Sequence, residues 1–327
     1  DIRYEVSGHG RSFMKYSNTS RLLNVIFHGL IVLIFGALGV FFGLVVAPYY
    51  LAIDPLAWLE SGSTFIDGSY TLWAGLGIVG LTIASVSGYG LYNGIRGILN
   101  PRDDEVVVKG FNAFIVDGYI AGIFCLLNAV LYFDGIKGSS LGFAIIVMII
   151  LFIGLMIASN IPMVKLYDNK DQTPLLSTLL IGAGIFFAWA AVVTFFTLVG
   201  SWSQGVVSWS KIVNGKLLAF FLAYLVSAAL LIISSILLRG GKAKKLVGHL
   251  SAGAILLAGG AFVSTGVLTL VYSDKAIHLC GINRILPEHG NAFGIIAIIV
   301  GALVIIGAVA FDILYVTGGL TKKKHKA

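Results

Sequence analysis

The chain has 327 residues, of which 58% are apolar and only 11% are Asp, Glu, Lys or Arg, less than half of the roughly 25% charged content of soluble domains. That balance excludes a water-soluble globule. The net charge of +7 does not indicate a nucleic-acid binder either, because the basic residues are scattered over separate segments instead of sharing one solvated face.

Apolar runs long enough to cross the roughly 30 Å hydrocarbon layer, which needs about 20 helical residues, recur along the whole chain. They predict an all-α polytopic bundle of eight transmembrane helices, near 22–50, 71–95, 111–133, 141–164, 174–200, 217–238, 250–272 and 292–316. The first run begins at Leu22 and is too long for a signal-peptide core, so no cleaved leader is expected. Eight crossings bring both termini to one side. Only Lys137, Lys211, Lys216, Lys275 and Arg284 then fall on the opposite side, and the other seventeen of the 22 Lys and Arg lie on the terminal side. The positive-inside rule therefore puts both termini in the cytoplasm and the protein, multi-pass, in the cytoplasmic (plasma) membrane.

Glycine spacing predicts how the first helices meet. Gly29, Gly36 and Gly43 repeat every seven residues in the first span, Gly77, Gly80, Ala84, Ser87, Gly88 and Gly94 trace a small-residue face on the second, and Gly39 to Gly43 and Gly90 to Gly94 are GxxxG steps. Small residues let helix backbones approach, so dispersion can act where lipid offers no hydrophobic contrast. The stretch Val86 to Gly90 superficially resembles a potassium filter, but it sits inside a continuous span and not in an outer re-entrant loop.

Few ionisable groups enter the hydrocarbon, where each costs at least about 2.5–3.5 kcal/mol on insertion scales. At about 1.5 Å of rise per residue, His28, Asp117 and Asp312 reach one common depth on the terminal side, with Asn160 beside them and Asn24 a turn below His28. Convergence of His28, Asp117, Asn160 and Asp312 would make a candidate proton or ion site, the imidazole changing charge near neutral pH. Asn128 lies on the same face as Asp117, eleven residues further on, and could extend that site along the third helix. The alternative role for each is glue between helices.

The outer side carries interfacial aromatics, among them Trp58, Trp202 and Trp209. Trp202, Val206, Trp209 and Val213 share one face of an expected short surface helix, and a second apolar stripe runs from Ile277 to Leu286 in the last outer loop. That loop also holds His278, Cys280, Glu288 and His289, whose spacing fits no structural zinc pattern. Cys125 lies in a span and Cys280 in this loop, with no CxxC spacing. His28 is the only histidine well inside a span, which disfavours bis-histidine haem, and nucleotide-loop and hydrolase motifs are absent. No cofactor and no metal are expected.

The two halves of the chain carry a weak internal repeat. With Gly142 set against Gly294, seven of 23 positions are identical along the fourth and eighth spans, and Asn160 falls opposite Asp312. The predicted organisation is an N-terminal cytoplasmic segment (1–20), a first four-helix unit (21–167), a second (168–319) related to it as a parallel repeat, and a basic tail (320–327). The expected function is a non-catalytic integral subunit or scaffold, with the lipid bilayer and other integral membrane proteins or itself as partners. A secondary transporter or ion-conducting protein using the terminal-side polar site is the second reading. A membrane-embedded lipid-modifying enzyme is the third, with Asp103, Asp104 and Glu105 as its densest acidic group.

Overall fold

A computed structural model of the chain describes residues 3–6, 12–46, 64–101, 104–133, 139–166, 173–203, 216–240, 244–271 and 290–316. Among them are eight helices: α1 (Asn18–Val40), α2 (Thr64–Leu99), α3 (Asp104–Phe133), α4 (Ser139–Leu166), α5 (Thr173–Ser203), α6 (Lys216–Arg239), α7 (Lys244–Val271) and α8 (Gly290–Val316). Each falls on one expected span, although α1 ends at Val40 where the expected first span runs on to 50. Two short antiparallel strands, β1 (Arg3–Val6) and β2 (Ser12–Lys15), precede the bundle, within the N-terminal segment 1–20.

Six of the helices, α1, α2, α3, α5, α6 and α8, are long and apolar enough to cross a membrane, and α4 and α7 carry the shorter apolar stretches Ile146–Asn160 and Lys245–Ala261. The protein is therefore a multi-pass helical membrane protein. The arrangement of α1 makes the point physically. Its buried residues are Arg21, Asn24, His28 and Gly39, while Leu33 on the opposite face is 71% exposed. A helix that hides its polar face and presents leucine outward is inverted relative to water, and is stable only where the surroundings are hydrocarbon.

Helix boundaries extend beyond the apolar runs because polar residues there favour helix ends. Ser17 caps α1 by accepting a hydrogen bond from the Ser20 backbone N–H at 3.2 Å, as short hydroxyl side chains do at N-caps. The acidic Asp104 and Glu105 form the first turn of α3, where the helix dipole favours negative charge, and Glu105 pairs with Lys109 at 3.0 Å. Of the acidic group read from the sequence, Asp104 and Glu105 therefore belong to a helix start, and Asp103 lies outside the described residues.

Neighbouring helices in sequence pack together in both halves: α1 on α2, α2 on α3, α3 on α4, then α5 on α6, α6 on α7 and α7 on α8. The halves are joined where α5 lies against α2 and α3. Ile78 of α2 packs with Ala190 and Val193 of α5, and the Trp189 indole N–H donates to the Ser85 hydroxyl at 3.0 Å.

Helices α1 and α2 approach each other closely at their glycines. A Cβ added at Gly36 would come 3.7 Å from that of Ala84, one at Gly39 would run into the Leu81 and Gly80 backbone, and one at Gly43 would meet Gly77 at 3.1 Å. Beyond Val40 the chain continues as a π-helical turn, Phe41–Val46, which carries Gly43 onto Gly77. Of the glycines expected at this crossing, Gly29 and Gly88 are not part of it: a Cβ at either would meet nothing within 4 Å. Gly39, the first residue of the Gly39 to Gly43 step, is at its centre, because contact across two crossing helices follows steps of three and four residues. Gly39→Leu should lower the unfolding midpoint of the purified protein, since forced overpacking costs about 1–3 kcal/mol or more. Gly29→Ala should leave it unchanged or raise it, because alanine is favoured over glycine in a helix by about 0.5–1 kcal/mol.

Candidate functional site

Three polar residues of α1, spaced three and four apart and so on one face, point inward against α2 and α3. Arg21, 2% exposed, donates from Nη1 to the Gly97 carbonyl at 2.7 Å and from Nη2 to the Pro101 carbonyl at 3.1 Å. Gly97 lies in the last turn of α2 and Pro101 just beyond it, where free carbonyls and the negative end of the helix dipole favour a cation. The buried charge is thus held by backbone oxygens.

One turn along, Asn24 is 2% exposed and lies against Gly94 and Gly110. Neither atom of its amide group finds a hydrogen-bond partner.

One further turn along, His28 is fully buried. Its ring stacks on Phe114 of α3, with centroids 3.7 Å apart and planes 15° from parallel. Nε2 lies 3.0 Å from the Gly110 carbonyl and Nδ1 3.1 Å from the Ser87 hydroxyl. Ser87 lies in turn 2.5 Å from Oδ2 of Asp117, whose Oδ1 is buried without a partner. A side chain at Gly90 would collide with the imidazole, and one at Gly110 with the Asn24 amide. Glycine at both places is what lets an imidazole and a carboxamide enter between three helices.

The candidate site residues expected to converge therefore separate into pairs. His28 and Asp117 come together, linked by Ser87, a serine that the sequence pattern places on the small-residue face of the second span and not among the polar site residues. Asn160 instead accepts from the Tyr119 hydroxyl at 2.6 Å, tying α4 to α3. Asp312 lies in the other half, 2.9 Å from Nδ1 of His249 across the α8–α7 contact. Equal depth along separate helices does not imply a common site, because α8 packs on α7 and not on α1 or α3. Asn128 belongs to α3 and Trp202 to the last turn of α5. Their side chains, with Trp58, Trp209, the apolar stripe from Ile277 to Leu286 and the loop residues His278, Cys280, Glu288 and His289, lie outside the described residues.

A second polar seam joins α5 to α6. Ser235 donates to the Ser177 carbonyl at 2.8 Å, the two hydroxyls are 3.0 Å apart, and Arg239 Nε donates to the Ser177 hydroxyl at 2.6 Å. The Arg239 guanidinium also sits 5.3 Å from the centre of the Tyr89 ring, a cation–π contact that reaches from α6 to α2. Among the described residues, no group of three or more His, Cys, Asp or Glu is placed to hold a metal ion.

Comparison with known proteins gives no match: no family model, no curated protein and no solved structure matches this chain.

Two of these cross-helix links should differ sharply in their contribution to stability. Arg21→Met strands the buried Gly97 carbonyl and should cost about 1–3 kcal/mol, read as a lower thermal unfolding midpoint in detergent. Arg21→Lys should recover only part of it, since an ammonium lacks the planar fork. Asp312→Asn, beside an exposed histidine, should move the midpoint little, as partly solvated pairs contribute about 0–1 kcal/mol.

Proposed function

We propose that the protein is a non-catalytic integral membrane subunit, a scaffold that packs with partner membrane proteins or with a second copy of itself. The observation that supports this reading is the outward character of the two edge helices. The principal neighbour of α4 is α3, and that of α8 is α7. The remaining faces are apolar: Ile146, Ile150, Ile153 and Ile157 are exposed along α4, and Ile295, Ile299, Leu303, Ile306 and Ile313 along α8. On these same helices a Cβ added at Gly154 or Gly307 would meet nothing within 4 Å. Lipid chains have no need of a notch in a helix surface, whereas a partner helix uses one to approach closely.

The polar groups are spent differently. Within the bundle they link α1 to α2, α2 to α3 and α5, α3 to α4, and α5 to α6, which is work that holds helices together. Asn160 and Asp312, opposed in the repeat, each reach back to the preceding helix, and the order of helix contacts is the same in both halves. These features support reading the chain as two parallel four-helix units. The excess of Lys and Arg on the side shared by the two termini supports a cytoplasmic location for that side, and the membrane proposed for the protein is the plasma membrane.

Secondary transport or ion conduction is the second reading, favoured by one observation, the buried His28–Ser87–Asp117 connection. The two are separable. A photo-activatable residue at Ile150 or Leu303, irradiated in native membranes, should give a protein adduct of defined mass, and Gly154→Leu or Gly307→Leu should reduce it about tenfold, equivalent to about 1.4 kcal/mol, without moving the unfolding midpoint. Only lipid adducts at both positions, together with proton flux in reconstituted vesicles that Asp117→Asn abolishes, would replace the scaffold with the transporter.

A further inference from the structure

We infer that His28, Ser87 and Asp117 form a single-proton binding site, in which one proton is shared between α1 and α3 through the Ser87 hydroxyl of α2. The argument is a count of hydrogens. The Gly110 carbonyl can only accept, so His28 carries a hydrogen on Nε2. The Ser87 hydroxyl owns one hydrogen but stands within bonding distance of two acceptors, Nδ1 of His28 and Oδ2 of Asp117. Both contacts are hydrogen bonds only when one more proton is present.

That proton has two equivalent homes. In one arrangement His28 is an imidazolium, donating from Nδ1 to Ser87, while Ser87 donates to the Asp117 carboxylate. In the other, the Asp117 carboxyl group donates to Ser87, Ser87 donates to Nδ1, and the imidazole is neutral. The two interconvert when the Ser87 hydroxyl takes a proton from one neighbour as it gives its own to the other. No atom moves far, and the three groups keep zero net charge throughout. Losing the proton leaves lone pairs facing each other in a fully buried space with net negative charge, which a low-dielectric interior penalises.

Nearby charges do not compete for the site. On α1, Arg21 is held by the α2 carbonyls. On α2, Arg96 lies over Tyr92, while Tyr89 faces Arg239 of α6. On α3, Glu105 is paired with Lys109, Tyr119 with Asn160 of α4, and Cys125 is two turns beyond Asp117. The described side chains of α4 and α5 include no charged residue. Asn24, one turn from His28 towards the start of α1, is uncharged, and its buried amide has no hydrogen-bond partner among the described residues.

The test uses the full chain in lipid nanodiscs with ¹⁵N-labelled histidine. His28 is assigned by loss of its signal in His28→Gln, and the Asp117 carboxyl stretch by its loss from the infrared spectrum of Asp117→Asn. Across about pH 5 to 8, where histidine ordinarily titrates, the two groups should always hold one proton between them, or release it at one common midpoint. Ser87→Thr, which keeps the hydroxyl, should preserve that coupling, and Ser87→Ala should split it into two midpoints. Separate midpoints in the unaltered protein, or a neutral His28 beside an ionised Asp117 while the protein is folded and below any common midpoint, would overturn the inference. If Ser87→Ala does not fold, the unaltered protein and Ser87→Thr decide the matter by themselves.

Discussion

The close approach of α1 to α2 is the constraint on which the rest of this half of the molecule depends. Gly39 and Gly43 lie on the backbone of Gly77, Gly80 and Leu81. With the helices held that near, the inward residues of α1 reach past α2 to α3, and His28 can touch Ser87 and Gly110 together. A side chain at Gly90 would occupy the imidazole's place. The glycines thus contribute little enthalpy of their own; they set the distance at which every polar contact of α1 becomes possible.

Hydrocarbon solvent explains why those contacts take the form they do. In water, Arg21, Asn24 and His28 would turn outward and the leucines inward. In a bilayer the preference reverses, and each buried polar atom needs a partner from another helix. Arg21 uses the carbonyls at the end of α2, His28 a serine and a carbonyl, Asn160 a tyrosine. Ser177, Ser235 and Arg239 do the same between α5 and α6. Partner choice is local, made with whichever helix lies next door, so polar residues at one depth divide into several small networks instead of one large site.

A scaffold role and a proton-sharing triad are compatible. A link between α1 and α3 that needs one proton to be complete would make the packing of the first half responsive to proton supply, while the outer faces of α4 and α8 remain free for a partner. Among the described residues the second half has no such triad: His249 and Asp312 meet at a more exposed position.

Composition and apolar run length alone determined that this is a multi-pass helical membrane protein and placed the eight helices found among the described residues, because crossing hydrocarbon demands about 20 apolar residues in a backbone that satisfies itself, and that demand is local to each segment. Small-residue spacing located the α1–α2 contact, including the Gly39 to Gly43 step at its centre, but could not tell that Gly29 and Gly88 face no neighbour, since a crossing angle is a property of two helices together. The rarity of intramembrane charge singled out His28 and Asp117. Only the tertiary structure could join them through Ser87 while sending Asn160 to Tyr119 and Asp312 to His249. Depth along a helix can be counted from the chain, but which helices are neighbours is decided by packing.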